Sequence, residues 1–369
     1  MLLFFLVLLA VSCLVTPLPV QAEPKTIVVP DDYIQIQEAI DAANEGDTIF
    51  VKKGVYVENP WIAKSVSLVG EDMDTTVIDV TAGLKVKSNN VTVTGFTIFD
   101  GYEGISVYEN CSNIIGNKIT NVQNGIVLHS GENSSISGNI LESIGPGAAI
   151  VLWYSDNNLV NNNYVDSCTE GIQLRSGSSF NMVKENIVTD CKNVAVRLLG
   201  GGYGKIWYYP NDNTITRNEI SNSGCGITIY GSNNNIISNN NFVNNTDQFS
   251  ANEWYFIIWG GSVSVNTIDE NYWSTYDGAD VNADGIGDAP YVLDENNTDS
   301  NPLMKPVSIP AFPDSITPTA VPSPTSSPEP APTAEPLPTT IIIAAVTTGA
   351  VIGIGLPVYF KKRKNSLTN

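Results

Sequence analysis

Between Val93 and Ile268 one short pattern returns eight times: an aliphatic residue, two variable residues, an anchor that is usually Asn, one variable residue, and a second aliphatic or Phe. The anchors are Phe96, Asn117, Asn139, Asn163, Asn186, Asn218, Asn240 and Asn266, spaced 21, 22, 24, 23, 32, 22 and 26 residues apart. A period in the low twenties, with one amide at a fixed slot between β-formers, predicts a solenoid in which each repeat is one coil. A second alternation of apolar and polar residues follows, at Gly104–Val107, Gly125–Leu128, Gly171–Leu174 and Gly226–Ile229. That is the period of a half-buried strand, and the Gly heading each is expected to permit a turn that bulkier residues resist. Strands stacked about 4.8 Å apart align like residues into columns, so the anchor amides should bond one another and the turn backbone.

The predicted fold is therefore all-β, a parallel β-helix. Asp31-Asp32-Tyr33 precedes a helical pattern with Ile36, Ala39, Ile40 and Ala43 on one face, a short capping helix for the first coil. Thr48–Val51, Val55–Tyr56, Val66–Leu68 and Val77–Ile78 read as the early, less regular coils. The longest interval, Asn186 to Asn218, carries an insertion at Gly200–Pro210, and such insertions project as loops, often on a binding face.

The ends set the expected compartment. Residues 1–22 read as a signal peptide, apolar to Val15 with small residues around Val20-Gln21-Ala22; the competing reading is an uncleaved anchor. Residues 26–308 form the β-helix ectodomain and 309–339 a Pro/Thr/Ser-rich stalk, long enough to extend roughly 90–100 Å. Residues 340–360 read as a transmembrane helix and 361–369, opening on Lys361-Lys362-Arg363-Lys364, as a basic cytoplasmic tail, placing the ectodomain outside the cell. A buried soluble helix is the alternative for 341–360. Asn90, Asn110, Asn133, Asn244 and Asn296 open glycosylation triplets. The chain has 38 acidic residues against 18 Lys and Arg, a net charge of −20. That balance disfavours nucleic acid as a partner and leaves cations, polysaccharides and envelope proteins.

Two segments carry a resemblance. Ile36-Gln-Glu-Ala-Ile-Asp-Ala-Ala43, Gly46-Asp-Thr-Ile-Phe-Val51 and Gly54-Val-Tyr56 resemble the opening of many right-handed β-helix proteins. Asn271-Tyr-Trp-Ser274 with Asp280–Tyr291 resembles the C-terminal signature of the NosD-like family of exported β-helix proteins. The likeness covers roughly Thr26 to Leu303. It implies a right-handed parallel β-helix and, by the family's namesake, a copper-associated accessory role. The donors depart from that role, because copper favours imidazole and sulfur, and His129, Met73, Met182 and Met304 are scattered. His129 is expected at the surface of a coil turn.

Three constellations carry candidate chemistry. Asp280, Asn282 and Asp284, then Gly285, the Ile286 carbonyl and Asp288, suit a Ca²⁺ loop that lacks the final bidentate Glu; a solvated acidic turn is the alternative. Cys168 and Cys191 follow adjacent anchors by five residues, so stacking predicts either a disulfide or a buried thiol pair. Cys111 and Cys225 have no neighbour in register. Glu142, Asp166 and Asp190 fall three or four residues after successive anchors. With Arg175, Lys192 or Arg197 they form the best enzyme candidate, a Ca²⁺-dependent polysaccharide lyase or epimerase, against ordinary solvated carboxylates. Tyr203, Trp207, Tyr208 and Tyr209, with Trp153, Tyr154, Trp254, Tyr255 and Trp259, suit stacking on sugar rings or filling irregular coils. The leading expectation is a non-catalytic surface protein that is structural or binds glycans or cells.

Overall fold

The structure, a computed structural model, describes residues 23–203, 206–251 and 265–312. They belong to one compact unit that runs to Thr319; a second unit, Ala320–Asn369, lies outside the described residues, as do the expected signal peptide, membrane span and basic tail. Among the described residues no helix is long and apolar enough to cross a membrane.

The described chain is a parallel β-solenoid of about ten turns. Its walls are three ladders. The first runs from Thr26–Val29 through Asn113–Ile115 and Leu159–Asn161 to Thr298–Asp299. The second runs from Gly54–Val57 through Ile140–Glu142 and Ile187–Thr189 to Tyr272–Trp273. The third runs from Trp61–Ile62 through Ala148–Trp153 and Val194–Leu199 to Asp247–Ser250. Two long strands, Thr97–Val107 and Lys118–His129, pass round the corner between the second and third ladders without a break.

The repeat produces this shape because its apolar slots all face one interior. Ile98, Ile119, Leu141, Val165, Val188, Ile220, Phe242 and Trp273 occupy one column, each at most 1% exposed. Beside them the anchor amides form a continuous ladder. Asn139 donates its backbone N–H and its side-chain N–H to Asn163 Oδ1, both at 3.0 Å, and its second side-chain N–H bond goes to Ile114 O at 2.8 Å. The same triad of bonds repeats from Asn117 to Asn240 and ends on Asn271 and Asp299. Each amide of this ladder thus has its partner in the next coil, as the low-dielectric interior requires.

The anchor expected at Asn266 is corrected. Asn271 holds that slot, 31 residues after Asn240, and Asn266 ends a second amide ladder through Asn158, Asn181, Asn213 and Asn235. Ile268 belongs to the first ladder, opposite Ile237. The 31-residue interval contains a second insertion after Ser250, covering 252–264, which lies outside the described residues.

The helix falls where expected, at Ile36–Ala42 (α1), with Ile36, Ala39 and Ile40 buried against the first strands. Its N-terminal amides are not met by Asp31 or Asp32. Glu58, from the following coil, accepts from Ile36 N and Gln37 N, both at 3.0 Å. After the last coil, residues 307–312 turn back along the second ladder. Val307 exchanges two hydrogen bonds with the Asn241 side chain at 2.7 and 2.9 Å, Arg217 donates to Ser308 O, and Phe312 meets the Tyr164 ring. The first residues of the expected stalk therefore lie on the flank of the solenoid.

Candidate functional site

The outward side of the third ladder concentrates the chemistry. In register, one residue per coil, stand Lys87, Tyr108, His129, Trp153 and Arg175. Lys87 Nζ lies 2.9 Å from the Tyr108 ring centroid and 5.9 Å from that of Trp61. Tyr108 and His129 stack at 4.6 Å with 9° between their planes, His129 meets Trp153 at 5.8 Å, and the Arg175 guanidinium lies 4.8 Å over Trp153. Strand spacing of about 4.8 Å brings such rings into contact, so the column follows from placing aromatic residues at one slot.

Beside it the outward slots are polar at both ends, with the buried Val127 and Val151 between them. His129 Nε2 lies 3.5 Å from Glu103 Oε1, and Ser106, buried, donates to Glu103 Oε2. Burial would raise the Glu103 carboxyl, but bonds from His129 and Ser106 and the charge of Lys85 outweigh it and hold the group below its usual range. Two coils above Trp153's neighbour the balance reverses. Glu170 lies 3.2 Å from Arg197 Nη2 and accepts from Gln173, yet burial pushes its carboxyl up despite Arg197 and Arg175. Burial also draws the Arg175 guanidinium down.

The insertion forms one wall of this face. Gly201–Tyr203 and Ile206–Tyr208 pair as an antiparallel hairpin. Tyr208 packs edge-on to Tyr154 at 5.6 Å, and Tyr154 stacks with Trp153. Trp153, Tyr154 and Tyr208 are 37%, 43% and 47% exposed, so their rings remain presented to solvent. Tyr209 lies against Gly231, in the turn of the next coil, where a Cβ would come within 2.5 Å of its ring. The second insertion leaves the chain after the third ladder, at the same slot as the first. The Tyr203 side chain, and Trp254, Tyr255 and Trp259, lie outside the described residues.

The carboxylate constellation expected for catalysis does not assemble. Glu142 and Asp166 are neighbours on the second ladder, but Thr189 follows in their column. Asp190 falls one position later, in the left-handed turn shared with Ser143, Ser167 and Asn222, so its side chain leaves the column. Glu142 pairs with Lys118 at 2.9 Å, Asp166 accepts from Ser167 and Asp190 from Thr189. Arg175 and Arg197 stand on the third ladder instead. His129, expected at the surface, is half-buried in the ring column; the clue available in the sequence was its place directly after a strand, in register with Tyr108 and Trp153.

The two stacked cysteines are free thiols, as are Cys111 and Cys225. Cys168 Sγ turns to the carbonyls of Asp166 and Leu141, and Cys191 Sγ to that of Thr189, so of the two states that stacking predicted the structure has the buried thiol pair. Burial pushes the Cys168 thiol up to about 12 and raises Cys191 as well. In the 280–288 loop, Asp280 accepts from the amides of Asp284 and Gly285, Asp284 from that of Ile286, and Asp288 from that of Val281. Of the glycosylation triplets, Asn90, Asn133, Asn244 and Asn296 are exposed, while Asn110 is half-buried with its Oδ1 accepting from Glu132 N.

Residues 40–278 match the family model described as periplasmic copper-binding protein (NosD). The chain belongs to the NosD family. It is also 35% identical over 112 residues to a cell surface glycoprotein of Methanothermus fervidus, covering 29% of this chain and 18% of that protein. A probable ABC transporter binding protein NosD of Stutzerimonas stutzeri is 37% identical over 107 residues, covering 27% of this chain and 22% of the relative. The chain thus spans about a fifth of the curated relatives it matches. Among solved structures, the A-module of a mannuronan C-5 epimerase from Azotobacter vinelandii aligns with a TM-score of 0.47 at 15% identity, covering 65% of this chain and 83% of that one.

The copper in the family description was tested against this member's donors. His129 is wedged between two rings, Met182 stands on the first ladder, and Met73 is buried away from both. Among the described residues no three His, Cys, Asp or Glu side chains converge to hold a metal. The residues present do not fit copper, and no chemistry is derived through it.

Proposed function

We propose that this NosD-family chain is a carbohydrate-binding protein of the cell surface or periplasm, and that the third ladder is its binding face. The observation that carries the reading is the in-register column of Tyr108, His129 and Trp153, flanked by the hairpin and bordered by buried polar side chains. The exposed rings of Trp153, Tyr154 and Tyr208, with fixed hydrogen-bonding groups beside them, suit a pyranose, which has apolar faces and a polar rim. Both curated relatives carry names of the cell surface or of a transporter's binding protein, which agrees with an envelope location. The same proposal keeps 340–360 as a single membrane span, α1 as the cap of the first coil, and Ca²⁺ in the 280–288 loop as a structural ion. Membrane fractionation tests the span, and a melting temperature unchanged between EGTA and millimolar Ca²⁺ would remove the ion.

The direct test is a glycan array and a set of envelope polysaccharides probed with the protein and with Trp153→Ala. The expected result is binding by the first and a loss of roughly tenfold in the second, since one ring contact is worth about 1–3 kcal/mol. Silence of the unaltered protein across both panels would end the reading. A second reading, a polysaccharide lyase or epimerase, is favoured by the convergence of Glu103, His129 and Tyr108, a set able to move a proton. It predicts unsaturated-uronate absorbance or isomerised product that persists in Asp166→Ala and vanishes in His129→Ala.

A further inference from the structure

The two ends of the ring column differ from its middle in charge. At one end Lys85 acts on the carboxylate of Glu103, which His129 and Ser106 already engage, and Lys87 stands beside it on the ring column. Among the described residues neither lysine forms an ion pair, and Lys87 rests on the faces of Tyr108 and Trp61. At the other end Arg175 and Arg197 share Glu170. Arg197 takes the carboxylate at 3.2 Å, whereas Arg175 lies on Trp153 and reaches only Gln173 Oε1, at 3.5 Å. Among the described residues Lys87 and Arg175, one at each end, thus lie on ring faces with no ion pair of their own, in a chain whose net charge is −20. A cation held on a ring face is partly desolvated and keeps its attraction for a further anion. By register Lys87 and Arg175 are four coils apart, about 19 Å along the stack at about 4.8 Å per coil.

We propose that the ligand of this face is an acidic polysaccharide lying along the solenoid axis, its anionic groups at Lys85 and Lys87 on one end and at Arg175 and Arg197 on the other, its rings over the aromatic column. The inference rests on the carbohydrate-binding reading above and adds to it the charge, direction and minimum length of the ligand. A fragment too short to reach both ends meets only one cationic pair. The chain as a whole carries a net charge of −20, so attraction of an anionic polymer depends on local cations such as these, and added salt weakens it by screening.

The test compares polygalacturonate with the same polymer after reduction of its carboxyl groups, using detergent-solubilised full-length protein at low and high NaCl. The expected result is binding of the native polymer that is at least tenfold tighter than that of the reduced one and that falls as salt rises. A disaccharide should bind more weakly than fragments spanning four coils. Lys87→Gln combined with Arg175→Gln, which leaves Lys85 and Arg197 in place, should weaken binding of the native polymer several-fold and reduce its salt dependence. Dextran sulfate binding as well as polygalacturonate would assign the ends to sulfate as well as carboxylate and supports the proposal. Equal binding of native and reduced polymers overturns it while leaving carbohydrate recognition intact. Binding to neither polymer, with neutral glycans bound on the array, also overturns it; silence on the array removes the underlying reading. Because the polymer comparison uses unaltered protein, it decides even where the double variant fails to fold.

Discussion

The buried amide at each anchor does more than hydrophobic packing can do. Asn163 accepts two bonds from Asn139 and donates to Ile136 O and Asn186 Oδ1. Asn163→Ala leaves two buried donors of Asn139 without partners, a cost of roughly 2–5 kcal/mol, and denaturant titration should report a loss of that size. The thiols separate by burial. Cys111 is exposed and Cys168, Cys191 and Cys225 are buried, with Cys168 pushed up to about 12 and Cys225 to about 11. A thiol reagent at neutral pH should therefore titrate Cys111 in the folded solenoid and the other three only after unfolding. Glu103 and Glu170 predict opposite responses to acid. The folded Glu103 carboxyl lies below its ordinary value of 4.5, so its contribution is present above that pH and is lost as pH falls through the lower folded value. Glu170 is raised, so its ionisation opposes folding, and acidification first relieves that cost. Glu103→Gln should accordingly flatten the acid limb of a stability–pH curve, and Glu170→Gln should raise stability at neutral pH; an unchanged curve in both would contradict the assignment.

At the scale of the coil, the Gly before each third-ladder strand has a different reason from the one its position suggests. Gly104, Gly125, Gly171 and Gly226 do not have the left-handed backbone of the turns. They alternate with Ala149 and Ala195 in a column where the next coil comes very close: a Cβ on Gly171 would lie 2.3 Å from Ala195 O and 2.6 Å from Val188 Cγ1. Gly171→Ala should cost about 1–3 kcal/mol or more through overpacking and lower the melting temperature. Between the second and third ladders the left-handed turns are made instead by Asn, Asp and Ser, at Asn121, Ser143, Ser167, Asp190, Asn222 and Asn244. Those residues tolerate that conformation because a short polar side chain bonds locally. This is why Asp190, which spacing alone aligns with Asp166, is a turn residue.

At the scale of the molecule, the ladder geometry converts a one-dimensional repeat into faces with different uses. The second ladder is partly covered by residues 307–312, while the third keeps its rings exposed and has the hairpin beside it. The solenoid itself was legible in the chain, because a fixed interval between aliphatic slots and one amide leaves few ways to bury both except by stacking coils. The strands, the amide ladder and the stacked cysteines followed from that period, and the helix at Ile36–Ala42 from the separate spacing of Ile36, Ala39, Ile40 and Ala43. What it could not convey was phase. Asn158 and Asn266 carry the same side chain as the true anchors, so only hydrogen-bond register separates the two amide ladders. The functional face depended on phase even more. Lys87, Tyr108, His129, Trp153 and Arg175 share no residue type, and so form no repeat, yet stacking sets one above another. Sequence by itself determined that coils stack and which side chains line the core, because burial constrains residue type at every turn; tertiary structure alone decided which outward residues meet, because solvent leaves those slots free to vary.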